Sequence, residues 1–335
     1  MARTEMNLSP QEAMAVIALG DDFGLGRSDR KVLQHSQGIV LEAMGKGGPV
    51  ILKIVATAAT DELQARLDWI HCLHANGLRV PELIESTRGN WIGQAEINGT
   101  YYTAYAYVRI PLTDKSRIDW ADDALPPKLG QVMGRMHRLS RSYRPESGRP
   151  RMQQWHEVEW LCAPASVLHP SQAAIVDSIL RLRDVISQFP RNADNYGLIH
   201  DDLHTGNVFC VGGQLAVIDF DCCHYGWFAA DLSSALLFRT WIGPDKDRPE
   251  VKEQAVAFLN GVVQGYRTEN DLPPNWAQTL PTFLKLREIS LFQSDYRAID
   301  ASSGQGDELF RYLFDSISND KPFLDLDWQV LAHAL

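Results

Sequence analysis

Asp202, Asn207 and Asp219 are the side chains whose types and spacing point to chemistry. The first two lie in the run Ile199-His200-Asp201-Asp202-Leu203-His204-Thr205-Gly206-Asn207, and Val217-Ile218-Asp219-Phe220-Asp221 follows ten residues after it. Between them, Gly212-Gly213 is a two-residue turn signal flanked by apolar residues, which predicts a hairpin. If Val211 faces Gln214 and Val208 faces Val217, Asn207 stands opposite Ile218 and therefore beside Asp219. An amide oxygen and a carboxylate then converge at one end of the hairpin. Hard oxygen donors of this kind suit Mg²⁺, which is commonly held by few protein oxygens together with substrate phosphates. Asp202, five residues before Asn207, falls in the adjoining loop, where a carboxylate can orient a hydroxyl nucleophile or take its proton. A proton acceptor and two metal-binding oxygens on a β-supported loop form the arrangement expected for phosphoryl transfer.

The elements that must hold these residues follow from apolar periodicity and turn residues. Residues 11–20 read as a short helix stopped by Gly20. Segments 39–43 and 50–55 read as strands around Gly45-Lys46-Gly47-Gly48, and a helix opens at Thr60-Asp61-Glu62 and runs to about Ala75. Two further strands, 91–97 and 101–108, join at Asn98-Gly99. After Ile110-Pro111 helical patterns dominate, at 126–141, 172–189, 228–238, 251–267 and 280–300, interrupted by short strands at 208–211 and 215–218. The expected class is α+β, with a mostly β region over 1–108 and a mostly helical region over 109–335.

Together these residues resemble the aminoglycoside phosphotransferase and choline kinase superfamily, which shares the protein-kinase fold. Its pattern of His-x-Asp, Asn five residues later, then Ile-Asp-aromatic-acid is matched by His200 to Asp202, Asn207 and Ile218 to Asp221. The resemblance implies a bilobal fold, an antiparallel-sheet N-lobe, a helical C-lobe, and ATP and Mg as cofactors. It implies Asp202 as catalytic base, Asn207 and Asp219 as metal ligands, and His200 as support for the loop. Asp221 would lie near the metal, and Asp231 in Ala230-Asp231-Leu232 would brace the loop. Lys53 in Ile51-Leu52-Lys53-Ile54 looks like the lysine that holds the ATP phosphates, and a lone Lys in a buried apolar strand needs an anionic partner. Residues 34–38, with Gly38, stand where the family has its nucleotide-covering loop, and Tyr107 and Val108 stand at the hinge that meets adenine. Segments 129–139, 258–266 and 283–287 look like family helices, the last two those of the bacterial homoserine-kinase and stress-response-kinase branch.

Three departures stand out, the first being that the nucleotide loop carries a single glycine, Gly38. Asp201 occupies a position where the family usually has Gly or Asn, an extra carboxylate that could touch the metal or a cationic substrate. Counting back from Pro81, Arg66 holds the place of the helix glutamate that pairs with the lysine, so Glu62, one turn earlier on the same face, is the expected substitute. His137 and His204 read as structural residues, and Trp155, Trp160 and Trp227 as packing residues. The implied activity is transfer of the ATP γ-phosphate to a hydroxyl of a small polar acceptor that is aminoglycoside-, choline- or homoserine-like. A Ser/Thr protein kinase of the bacterial stress-response type is the alternative.

Composition bounds these readings. The 335 residues include 42 acids and 32 bases, a formal charge of −10, which argues against a nucleic-acid binder or a polybasic membrane-surface protein. Residues 1–109 carry 12 of the acids and 10 of the bases, so most of the excess lies in the second region, where it favours a cationic acceptor. The polar first ten residues lack a signal-peptide core, and no apolar run nears the ~18 residues of a membrane helix, so a cytoplasmic protein without a membrane partner is expected. Five scattered cysteines form no disulfide framework, and Cys222-Cys223-His224 lacks the paired spacing of a zinc site.

Overall fold

The computed structural model describes residues 8–35, 38–113, 116–240, 248–272 and 275–334. Two units emerge: residues 1–113 with 145–152 and 216–218, and residues 114–144 with 153–215 and 219–335.

The first unit opens with helix α1 (Pro10–Asp22), started by a reciprocal cap. The Glu12 main-chain N–H donates to Ser9 Oγ at 3.3 Å, and the Ser9 N–H donates back to the Glu12 carboxylate at 2.8 Å. Gly20 does not stop this helix as expected. It is buried where the Arg30 guanidinium lies against the helix and donates to Val16 O at 2.9 Å, a space that a Cβ would fill. The strands are β1 (Lys31–His35), β2 (Ile39–Gly45), β3 (Gly48–Val55), β4 (Leu83–Ile84), β5 (Ile92–Ile97) and β6 (Thr100–Val108), and α2 (Asp61–Ala75) follows β3. They form one antiparallel sheet in the order β1-β2-β3-β6-β4, with β5 also on β6. β1 is an addition to the expected strands; it is an exposed edge with no apolar alternation to announce it. Val50, Leu52 and Ile54 of β3 pack with Leu19, Leu41 and Ala104 in the core, so by the two-residue period Lys53 stands on the other face, between Val40 and Tyr105.

The rest of the chain contains α3 (Leu125–Ser142), the single turns α4 (Glu159–Cys162) and α5 (Pro164–Val167), α6 (Ala173–Ser187), β7 (Tyr196–Ile199), β8 (Val208–Val211), β9 (Gln214–Val217, its last two residues counted in the first unit), β10 (His224–Trp227), α7 (Phe228–Thr240), α8 (Pro249–Arg267), α9 (Trp276–Tyr296), α10 (Glu308–Ser318) and α11 (Trp328–Ala334). The β8–β9 hairpin turns at Gly212 and Gly213 with φ of 58° and 81°, the doubly positive geometry that the Gly-Gly pair foretold. The β7–β10 ribbon, with Ile199 opposite His224, was not expected, because neither four-residue strand is long enough to show a period. α9 starts a turn before the expected 280, carries Pro281 in its second turn and ends at Tyr296. α10 was also missed, although Phe310, Leu313, Phe314 and Ile317 show the spacing of one helix face. Among the described residues no helix is long and apolar enough to cross a membrane.

Helices α3 and α8 cross in close contact, and this crossing places the residues behind the loop 200–207. Gly130 and Gly134 on α3, and Gly261 and Gly265 on α8, each repeat at four residues and so share a face. A Cβ on Gly130 would collide with the Val262 carbonyl oxygen, and one on Gly265 with the Pro127 carbonyl oxygen. Backbone meets backbone, so no side chain can rotate away. Gly265→Ala is therefore expected to wedge the helices apart at a cost of about 1–3 kcal/mol, read as a lower urea midpoint with an unchanged slope.

Candidate active site

The loop 200–207 leaves β7 and is fixed from beneath by Asp231 of α7. Asp231 is fully buried and accepts the main-chain N–H of His200 at 3.1 Å and of Asp201 at 2.6 Å. His137 of α3 meets the same carboxylate through Nε2 at 3.0 Å. Behind it, Tyr266 of α8 lies 3.0 Å from His137 Nδ1, and its hydroxyl accepts from Asn270 Nδ2 at 3.0 Å. A hydroxyl that accepts from Asn270 can give its own proton to Nδ1, which assigns the Nε2–H tautomer to His137 and directs that N–H at Asp231. Burial alone would raise the Asp231 pKa, yet the hydrogen bonds from His137 and from the His200 main chain hold it below the ordinary carboxylate range.

Asp201 has φ of 58°, left-handed backbone that Gly and Asn adopt most readily among residues and Asp after them. The family preference for Gly or Asn at this place thus has a backbone cause. The Asp201 carboxylate faces the His224 ring at 4.0 Å on β10, and burial pushes its pKa up. His200 turns inward: its Nδ1 accepts the Asp202 N–H at 3.2 Å, and its ring packs 4.6 Å from that of Phe220.

These contacts present the Asp202 side chain, which is held by three others. Arg287 of α9 donates to Oδ1 through Nη2. Asn207 Nδ2 donates to Oδ2 at 2.9 Å and to the Asp202 main-chain oxygen at 3.0 Å, and His204 Nε2 lies 3.4 Å from Oδ2. His204 Nδ1 accepts from the Gly206 N–H at 2.9 Å, so Nε2 carries the proton in the neutral ring. Burial opposes ionisation of Asp202, but the His204 hydrogen bond and the Arg287 charge bring its pKa down to about 2. With its amide nitrogen committed to Asp202, Asn207 turns Oδ1 the other way. Asp219 begins the turn after β9 with a left-handed φ of 65°, one of five non-glycine residues with positive φ among those described. Asp221 is exposed in the short 3₁₀ turn 220–222.

In the first unit, Lys53 is half-buried in β3. Glu62 forms an ion pair with Arg66 at 3.0 Å, the two residues weighed for one role being bonded to each other. Gly38 has φ of 153° with the Ile54 carbonyl against it, while Ser36 and Gln37 of the expected nucleotide loop lie outside the described residues. Tyr107 pairs with Ile51 and Leu83 near the end of β6, and the Val108 N–H donates to Glu82 O at 2.9 Å. Trp155 and Trp227 are buried and pack edge to face at 5.3 Å, as packing residues do.

The model of the phosphotransferase enzyme family (APH) matches residues 39–277. The chain belongs to that family. Amicoumacin kinase of Bacillus subtilis (strain 168) is 28% identical over 317 residues, covering 92% of this chain and 93% of the relative. The solved structure of amicoumacin kinase hAmiN in complex with AMP-PNP, Ca2+ and Ami superposes with a TM-score of 0.86 at 27% identity, covering 96% of this chain and 97% of the other. A microcompartment-associated aminopropanol kinase shares the fold, with a TM-score of 0.68 at 20% identity over 91% of this chain and 93% of its own. The antiparallel-sheet region, the helical remainder and the phosphotransferase activity expected from the motif are those of the family.

Sequence reasoning missed Arg287 as a site residue. It lies 85 residues from Asp202 in a helix whose local pattern gives it no distinction. His137, Tyr266 and Asn270 were in the expected helices or next to them, but only the α3–α8 crossing shows that they form one chain of hydrogen bonds.

Proposed function

We propose that this family member is a small-molecule kinase that transfers the γ-phosphate of ATP to a hydroxyl of an amine-bearing acceptor. The observation that carries the reading is the Asp202 carboxylate, ionised, oriented by Arg287 and Asn207, and braced through Asp231. The printed ligands of the amicoumacin kinase complex, AMP-PNP and Ca2+, support use of ATP and a divalent cation, which we take to be Mg²⁺ here. Asn207 Oδ1 and the Asp219 carboxylate are the hard oxygen donors that fit such a cation. Held by these two residues, such a cation would supply charge neutralisation on the phosphates.

Lys53 is assigned to the α- and β-phosphates, with Glu62 as its expected helper and Gly38, Tyr107 and Val108 lining the nucleotide. Asp202 accepts a hydrogen bond from the acceptor hydroxyl and holds its oxygen in line with the γ-phosphorus. As the new P–O bond forms, the bond from the γ-phosphorus to the β,γ-bridging oxygen breaks, and that electron pair leaves with ADP. The hydroxyl proton passes to Asp202 and then to solvent. A carboxyl with a pKa near 2 is a weak base, so it takes the proton late, after the phosphoryl group has begun to move. Most of the acceleration is positioning. His200 and Asp231 support the loop. Asp221 and Asp201 add negative charge near it, and Asp201 is a secondary candidate to attract the acceptor amine.

An ADP-release assay over amino alcohols, aminoglycosides, amicoumacin-like amides, homoserine, and anionic sugars tests the reading. Turnover is expected with cationic acceptors. A preference for anionic acceptors, or transfer of phosphate to protein hydroxyls alone, would displace it in favour of another acceptor class or of the protein-kinase alternative. Asp219→Ala is expected to lower kcat by about 100-fold and to raise the divalent-cation concentration needed for half-maximal rate. An unchanged metal dependence would remove Asp219 from the metal site.

A further inference from the structure

Arg287 makes contacts that no feature of its own helix requires. Its side chain is buried, with 7% of its surface exposed, and it reaches the loop at two successive residues. Nη1 donates to the Asp201 main-chain oxygen at 2.9 Å, while Nη2 donates to Asp202 Oδ1. The guanidinium lies 5.4 Å from the centre of the Phe238 ring, which restricts how it can turn, and Nη1 also reaches Ser290 Oγ at 3.5 Å. Nε has no hydrogen-bond partner among the described residues, so the group is not placed to satisfy all its donors. It is placed to hold one segment of backbone and one carboxylate oxygen together, which the planar fork of Arg can do and the single ammonium of Lys cannot.

The occupancy of the two carboxylate oxygens gives this contact a consequence. A carboxylate has about four lone-pair sites, two on each oxygen. On Oδ2 Asn207 takes one at 2.9 Å, and His204 Nε2, 3.4 Å from Oδ2 and 3.1 Å from Asn207 Nδ2, crowds the other. On Oδ1 Arg287 takes one and leaves one. We propose that Arg287 is a positioning residue that fixes Oδ1 of Asp202 as the oxygen that receives the acceptor hydroxyl. The inference rests on Asp202 being the residue that meets the acceptor. Without Arg287 the carboxylate keeps its Asn207 bond but is free to rotate about it, and Oδ1 no longer points in one direction. A misplacement of about 1 Å at such a group costs on the order of 10²-fold in rate.

The experiment compares wild type with Arg287→Ala, Arg287→Met and Arg287→Lys. It measures kcat and the KM for MgATP with the best acceptor, and in parallel the hydrolysis of MgATP by water, which needs no acceptor. Met keeps the apolar stem and guards against a variant that fails only because α9 is left with a hole. The expected result is a fall in kcat of about 100-fold in the Ala and Met variants, with KM for MgATP unchanged. A partial return is expected in Lys, and a return of activity to the Ala variant when guanidinium is added well below denaturing concentrations. A brace that acted only on stability would lower the melting temperature and MgATP binding and would not respond to guanidinium. That outcome, or a kcat within threefold of wild type in Met, would overturn the proposal. If no acceptor is phosphorylated by wild type, the kinase reading above fails, whereas hydrolysis, in which water takes the place of the acceptor hydroxyl, still falls in the Ala and Met variants if Arg287 aims Asp202 and stays within threefold of wild type if it does not.

Discussion

Asp202→Asn is expected to lower kcat by about 10²–10⁴-fold while leaving the KM for MgATP nearly unchanged. The two halves of this result have separate causes. Nucleotide contacts are assigned to Lys53 and the hinge, elsewhere in the chain from the loop, so losing the carboxylate removes nothing that ATP touches. In the proposed reaction the acceptor, by contrast, loses the group that aligns its oxygen. Asn is a better probe than Ala because it keeps the volume and one oxygen, but it cannot repeat the native contacts. Asp202 meets donors on both sides, Arg287 on Oδ1 and Asn207 with His204 on Oδ2. An amide must turn its NH₂ toward one of them, so donor faces donor, and Arg287 is left buried without its counter-charge. The variant should therefore also melt at lower temperature. A thermal shift on adding MgATP, equal to that of wild type, separates lost chemistry from lost folding. Near-wild-type turnover would remove Asp202 from the reaction.

The parts of this site that were legible in sequence are those set by local rules. The Gly212-Gly213 turn is announced by residue type because only a doubly positive backbone closes that hairpin without splaying it. The cluster from His200 to Asn207 was legible because several polar groups crowd a short span flanked by apolar residues. The Asp201 anomaly was visible too, but its cause was not: φ of 58° is a property of the folded loop, and the sequence showed only the residue that tolerates it. Arg287 and the His137–Tyr266–Asn270 chain were hidden for a different reason. Their roles depend on where α3, α8 and α9 run relative to the loop, and apolar periodicity says which face of a helix is buried without saying what it is buried against. The glycines of α3 and α8 carried part of that information as four-residue repeats, but repeats of that length occur in many helices and give no partner.

Asp231→Ala tests that hidden layer, and it is expected to cost about 3–5 kcal/mol of stability, a large share of the 5–15 kcal/mol typical of a folded domain. Three donors converge on this carboxylate: the N–H groups of His200 and Asp201 and Nε2 of His137, whose ring is 1% exposed. Ala leaves all three in the interior without their carboxylate acceptor. The loss is not confined to folding. The same two main-chain bonds hold the loop on which Asp202 stands, so residual activity should fall by more than the melted fraction accounts for. The pH dependence gives a separate sign. The folded Asp231 has a pKa below its unfolded value, so its stabilisation is complete above the ordinary carboxylate range and is lost as pH falls through the lowered folded value. Wild type and variant should therefore differ most near neutral pH and converge in acid. Asp231→Asn should lie between them, because its amide oxygen can still accept the loop N–H groups while its NH₂ faces His137. Urea midpoints measured from neutral to acid pH check this. Parallel curves for wild type and Asp231→Ala would show that the Asp231 pKa does not change on folding and would remove its charge from the bracing of the loop.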